Sequence, residues 1–229
     1  MKNVFVHPLP IPIETEGLVV LVDILRATST IVAALAEEAK VVKPVATIED
    51  ALLLREQGYL LAGERGGLPP EGFDYGNSPR EAYRLAGQKV ALTTTNGTRA
   101  LGFVKQAKAV CAGSFLNLSA VVRFAERFDE VVVLCAGTEG HFSLEDFLFA
   151  GFLARELEEF ATGNDAATVA RHYARGVADP REEILLSKHA LRLIELGLKD
   201  DVIFCGELDR YSVVPVLTKE GFVPLPGAS

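Results

Sequence analysis

KVALTTTNGTRAL, residues 89–101, begins as an apolar strand and ends as the first turn of a helix. The corner between them is built from Thr93, Thr94, Thr95, Asn96, Thr98 and Arg99. Asn-Gly between apolar runs is also the usual signal for a tight hairpin, with threonines chosen for strand propensity. Here Leu101, Val104 and Lys105 follow Gly97 at helical spacing, so the segment reads as a strand turning into a helix. A strand feeding a helix is half of a crossover unit, and crossover units build parallel sheets.

The rest of the chain repeats that rhythm. Apolar, β-branched runs at 18–23, 41–45, 59–62, 109–112, 130–135, 202–205 and 213–217 predict further strands beside 89–94. Helical patterns are expected at about 28–39, 48–57, 79–86, 98–106, 115–127, 144–160, 165–175 and 181–196. Ser78-Pro79, Ser143 with Asp146 three residues on, and Gly197 supply start and stop signals. Nearly continuous apolarity in the strands means that both faces of the sheet are covered, which gives an α/β class with a mostly parallel or mixed sheet. One domain spanning 1–229 is expected, with room for a smaller C-terminal lobe from about 163.

The net charge of −8 and the absence of a basic run speak against affinity for nucleic acid or for an anionic membrane. Cys111, Cys135 and Cys205 are too few and too scattered for a disulfide framework or a thiolate zinc site, and they read as inert strand-end residues. The N-terminus lacks a signal-length apolar core, so a cytoplasmic protein acting on a small molecule is expected. A homo-oligomer is left open.

A second corner has the design of the first. In VDILRATST, residues 22–30, a strand ends at Asp23 and a helix opens with Arg26, Thr28, Ser29 and Thr30. Helix starts offer unpaired N–H groups and a positive dipole end, and adjacent hydroxyls and guanidinium groups complete a cradle for an oxyanion. Both corners are expected on one sheet edge, beyond the carboxyl ends of the strands. The long loop GERGGLPPEGFDYGNSP, 63–79, adds Glu64 and Arg65, and CAGTEGHFSLED, 135–146, adds Glu139, His141, Glu145 and Asp146. Carboxylates of this kind suit Mg²⁺, although Glu145 and Asp146 also fit simple helix-dipole complements and Asp23 and Glu64 fit salt bridges. His189 reads as a structural residue within a helix. No Ser-His-Asp order, nucleophile elbow or phosphate-binding Gly-rich loop ending in Lys is present.

Taken in order, VDILRATST, GERGGLPPEGFDYGNSP, TTTNGTRAL, AGSFLNLSAV and CAGTEGHFSLEDFLFAG resemble the signature segments of the 2-phosphosulfolactate phosphatase family, with a fainter continuation in SKHALRLIELGLKDDVIFCGELD. The resemblance implies a three-layer αβα sandwich and a Mg²⁺-dependent phosphoric monoester hydrolase acting on 2-phospho-3-sulfolactate, a step toward coenzyme M. A small polyanionic phosphate ester needs several cationic or N–H-lined corners close together. Asp23, Arg26 and Glu64 are then the expected catalytic residues. Thr28, Ser29, Arg65, Thr95, Asn96, Gly97, Thr98 and Arg99 would bind substrate, and Asp23, Glu64, Glu145 and Asp146 are the candidate metal ligands. Direct attack by water and a covalent intermediate on Asp23 both remain open, and a noncatalytic module binding a phosphorylated metabolite is the alternative function.

Overall fold

The computed structural model describes residues 1–225. Its strands are β1 (Asn3–His7), β2 (Ile13–Glu14), β3 (Leu18–Val22), β4 (Val41–Pro44), β5 (Tyr59–Gly63), β6 (Lys89–Thr93), β7 (Val104–Gln106), β8 (Ala109–Gly113), β9 (Glu130–Cys135), β10 (Ala161–Thr162), β11 (Pro215–Leu217) and β12 (Phe222–Pro224). Ten of them form one sheet in the order β10-β1-β9-β3-β8-β11-β12-β4-β6-β5, and β2 pairs with β7 outside it.

Every residue of β3, LVVLV, is buried, as the apolar run requires when helices cover both faces. Val20 and Val22 belong to a core with Phe149 and Phe152 of helix Leu144–Glu156. Leu21 points the other way, into a core with Ile31 and Leu35 of helix Ala27–Ala36. The result is a three-layer αβα sandwich. Helix Asp165–Arg175 lies against helix Leu144–Glu156 at a contact that only glycine allows, since a Cβ on Gly151 would fall 2.3 Å from the Ala170 carbonyl oxygen. Ala167, Ile184, Leu193 and Val202 join the same core as β3, so the segment after 163 packs on the main sheet.

The sheet is parallel within β10-β1-β9-β3-β8 and within β4-β6-β5. Between these blocks the β11–β12 hairpin introduces antiparallel pairings on both sides and at its centre. Three reversals leave the two blocks running in opposite senses. The expectation that the two Thr/Arg corners share one sheet edge is therefore corrected: one follows β3 and the other follows β6, in blocks of opposed direction, and they meet where the carboxyl ends of the two blocks converge.

Three local expectations also change. VIFC, 202–205, is the end of helix Lys199–Cys205 and not a strand, because a short apolar run is equally compatible with either and Asp200 and Asp201 complement a helix start. The helix expected at 98–106 stops at Leu101, and Val104–Gln106 is the strand that pairs with Ile13–Glu14. The helix expected at 181–196 breaks in two, Pro180–Ile184 and Lys188–Glu195, where the Ser187 hydroxyl caps the second by accepting from Ala190 N–H. Strand β1 had no sequence assignment, yet it pairs along its whole length with β9. Among the described residues no helix is long and apolar enough to cross a membrane.

Candidate active site

The loops leaving β3, β5, β6 and β9 come together around Asp23. The helix after β3 starts there, with Ala27 N–H donating to Asp23 Oδ1 and the Thr28 hydroxyl donating to the Asp23 carbonyl. Gly97, after β6, closes on the same carboxylate, leaving 2.8 Å between an imagined Cβ and Asp23 Oδ2. Glu64, after β5, ties two loops together, because its Oε1 accepts from Thr95 N–H and its Oε2 from Gly67 N–H. Asp146, at the start of the helix after β9, accepts from Ile24 N–H through Oδ1 and from Gly137 N–H through Oδ2, which fixes the β3 exit against the β9 exit. The Ser143 cap expected from the sequence is present, with Asp146 N–H donating to its hydroxyl.

Asp23, Glu145 and Asp146 are all buried. Burial raises the Asp23 carboxyl to about 7, reinforced by the charges of Glu64 and Glu145 and opposed by the hydrogen bond from Ala27. Burial likewise raises Asp146 well above the usual carboxylate range, with Glu145 and Asp23 adding to the shift. Glu145 differs from the other acids in that its Oε2 is buried without any hydrogen-bond partner. Its Oε1 lies 3.7 Å from His189 Nδ1.

The expected cations have separate fates. Arg26 is buried, donating to Asp201 Oδ2 at 2.6 Å and to the Gly67 carbonyl at 2.7 Å, so its charge is neutralised by an acid that sequence reading did not assign to the site. Ser78 completes the arrangement by donating to Asp201 Oδ1. Arg65 turns away to the Glu64 and Ala46 carbonyls and the Thr93 hydroxyl. Arg99 is exposed on the short turn Gly97–Leu101 and does not line the cleft. Thr28 and Ser29 are wholly buried with their hydroxyls bonded to the Asp23 and Ile24 carbonyls, and Thr98 bonds the Thr94 carbonyl. Thr28, Ser29, Thr98 and Arg65, expected to bind substrate, thus have their hydroxyl and guanidinium groups on neighbouring carbonyls and on the Thr93 hydroxyl, as polar groups at a corner of the fold must satisfy the backbone.

What opens to solvent is a narrow cleft with two connected chambers. The inner one, about 10 Å³, is bordered by Asp23, Arg26, Asn77 and Thr94. The outer one, about 60 Å³, is bordered by Thr95, Thr138, Glu139 and Arg192. Glu64, Gly67, Asn96, His189 and Leu193 line both. A larger hollow of about 580 Å³, at the opposite ends of β3, β8 and β9, contains none of these residues.

His189 and Arg192 come from helix Lys188–Glu195, whose i, i+3 spacing puts them on one face. His189 Nδ1 lies 3.0 Å from the Thr138 hydroxyl, and burial lowers its proton affinity despite the nearby Glu145 charge. The sequence reading of His189 as structural is incomplete, since a histidine at helical spacing among apolar residues carries no local sign of the cleft it faces. His141 lies in the β9 exit loop with its backbone paired to Thr138, and it does not line the cleft.

The description 2-phosphosulpholactate phosphatase matches residues 7–220. The chain belongs to the 2-phosphosulfolactate phosphatase family. Relatives described as probable 2-phosphosulfolactate phosphatases include a Thermotoga petrophila protein, 47% identical over 93% of both chains, and a Thermotoga maritima protein, 45% identical over 93% of both. A Thermus thermophilus relative with the same description is 41% identical over 87% of both chains. Members of this family are phosphoric monoester hydrolases by name, and the region shared with this chain contains every loop of the cleft.

Proposed function

We propose that the protein hydrolyses the phosphate monoester of 2-phospho-3-sulfolactate, with Mg²⁺ as its cofactor and the cytoplasm as its setting. Three free, buried cysteines fit a reducing compartment. The observation that carries the reaction is the set of crowded buried carboxylates at and behind the inner chamber, above all Asp23, which borders it with a raised proton affinity, and Glu145, which lies behind His189 with an unsatisfied buried oxygen. Such acids repel one another unless a proton or a cation intervenes.

The residues present fit a hard divalent cation. Mg²⁺ takes one or two carboxylates and completes its shell with water and phosphate oxygens, and Glu145 Oε2 is a buried carboxylate oxygen that no hydrogen bond occupies. Glu145, whose Oε2 accepts no hydrogen bond, and Asp23, which borders the inner chamber and has one oxygen bonded to Ala27 N–H, would hold the ion, whereas both oxygens of Glu64 and of Asp146 already accept backbone N–H groups. When bound, the ion neutralises the crowded carboxylates and the charge that grows on the phosphoryl oxygens.

The chain's own groups account for the remaining steps. Glu64 and Asp146 pin the four loops, so the cleft keeps its shape as charge moves within it. Arg26, held by Asp201 and the Gly67 carbonyl, fixes the wall of the inner chamber. His189 Nδ1 shares a hydrogen bond with the Thr138 hydroxyl and lies 3.7 Å from the Glu145 carboxylate, and with its proton on Nδ1 toward these oxygens the ring has Nε2 as a base. That nitrogen takes a proton from the attacking water and returns it to the ester oxygen as the P–O bond breaks, giving inorganic phosphate and sulfolactate. Direct attack by water is preferred over a covalent intermediate because a buried carboxyl that holds its proton up to about pH 7, with one oxygen engaged by Ala27 N–H, is a weak nucleophile.

Phosphate release from 2-phosphosulfolactate by the purified protein, with Mg²⁺ and then with EDTA, tests this reading. Release that depends on the metal is expected. No release with Mg²⁺ or Mn²⁺ from this ester or from other small phosphate monoesters would leave a binding module as the better description.

A further inference from the structure

If the phosphoryl group is processed beside Asp23, as proposed above, the acid groups elsewhere on the substrate need a partner of their own. The cations of the cleft are few. Arg26 is spent on Asp201 and the Gly67 carbonyl, Arg65 faces away, and Arg99 lies outside. Arg192 is the guanidinium that borders the outer chamber, one helical turn, about 5 Å, from His189. A phosphorylated three-carbon acid spans a distance of that order.

Arg192 is held by a weak partner. It donates to Glu139 Oε1 at 2.8 Å, but the two side chains are 50% and 59% exposed. Exposed pairs contribute little net stability, so an incoming anion can replace Glu139 at small cost. Glu139 itself stays at the rim, since its backbone N–H donates to Asn96 Oδ1 and its φ of +53° places it within a fixed turn between Gly137 and Gly140. The fork of a guanidinium matches the paired oxygens of a carboxylate or sulfonate.

We propose that Arg192 determines specificity by receiving a carboxylate or sulfonate of the substrate, with Glu139 holding its guanidinium in position until that anion displaces it. The cleft then selects phosphate esters that carry a second acid group over esters with neutral tails. Arg192 touches the non-reacting end, so its contribution falls on binding and on substrate choice.

The test compares wild type with Arg192→Gln in three measurements: KM for 2-phosphosulfolactate, inhibition by inorganic phosphate, and calorimetric binding of sulfolactate. Loss of a charge-assisted contact is expected to raise KM and weaken sulfolactate binding by about 10- to 100-fold. The inhibition constant for inorganic phosphate, which has no tail, should change by much less. Arg192→Lys should recover part of the loss. Arg192→Gln with Glu139→Gln keeps the rim as neutral as the original ion pair and should show the same preference for loss on the acid tail, which separates loss of Arg192 from exposure of Glu139. Equal weakening toward phosphate and sulfolactate would make Arg192 a phosphate ligand and overturn the proposal, as would unchanged sulfolactate binding. Failure of the wild type to release phosphate would instead overturn the phosphatase reading, while the sulfolactate measurement would still judge Arg192.

Discussion

Gly97 and Asp23 share a gap too small for a methyl group, with an imagined Gly97 Cβ falling 2.8 Å from Asp23 Oδ2 and 2.8 Å from the Ala27 Cβ. The β6 corner can close on the β3 corner only with hydrogen at this position. Gly97→Ala must push the turn away from Asp23, at about 1–3 kcal/mol of stability. Turnover should fall further than the loss of folded protein explains. Urea melts alongside steady-state rates would show this, and an alanine variant with normal rates would mean that the two corners need not touch.

Removal of Asp201 leaves Arg26 charged and buried without its partner. Asp201→Ala is expected to lose about 3–5 kcal/mol, whereas replacing both residues with apolar ones should lose much less. Chemical denaturation of the single and double variants measures the difference. Equal losses in the two would show that packing matters there and the charge does not.

Asp23 gives the metal-free protein a distinct pH response. Its carboxyl is raised from 3.8 to about 7 on folding, so the native state holds a proton that the unfolded chain has released. This stabilisation is complete below about 3.8 and is lost as pH rises toward 7, with a limiting slope of about 1.4 kcal/mol per pH unit. In EDTA, Asp23→Asn should therefore gain stability relative to wild type between pH 5 and pH 7 and hold that gain above it. Parallel pH curves for the two proteins would contradict the shift.

Millimolar Mg²⁺ should raise the melting temperature of the wild type, because an ion bound only by the folded state stabilises it by mass action. Asp23→Asn and Glu145→Gln should each lose most of that increment. Thermal melts with and without the ion suffice, and an unchanged increment in Glu145→Gln would remove that residue from the ligand set.

His189→Asn should reduce kcat on alkyl phosphates by about 100- to 10,000-fold, the usual contribution of a positioned acid or base. With 4-nitrophenyl phosphate, whose leaving group needs no proton, part of the loss should disappear. A uniform loss on both esters would place His189 in binding or positioning.

The corners were legible because they are local. In KVALTTTNGTRAL the strand, the turn and the hydroxyl cluster are adjacent in sequence, and Ser143 with Asp146 announces a helix start within four residues. The partner of Arg26 was not, since Asp201 lies 175 positions away and its segment reads equally well as a strand. His189 and Arg192 escaped for a related reason: their spacing specifies a helix face, and only the tertiary fold specifies what that face meets. The threonines divide in a way that the sequence does not show, Thr95 bordering the cleft and Thr28 and Thr98 bonding backbone carbonyls, because a hydroxyl-rich corner looks the same in sequence in either case.

The hairpin of β11 and β12 joins two half-sheets that have no other shared edge in the strand order. Residues 215–224 follow every other strand in the chain, so they leave the ribosome after both halves exist. Synthesis thus produces two fragments with open flanks before it produces the clasp, and the cleft around Asp23, which draws on both, waits for the last strands.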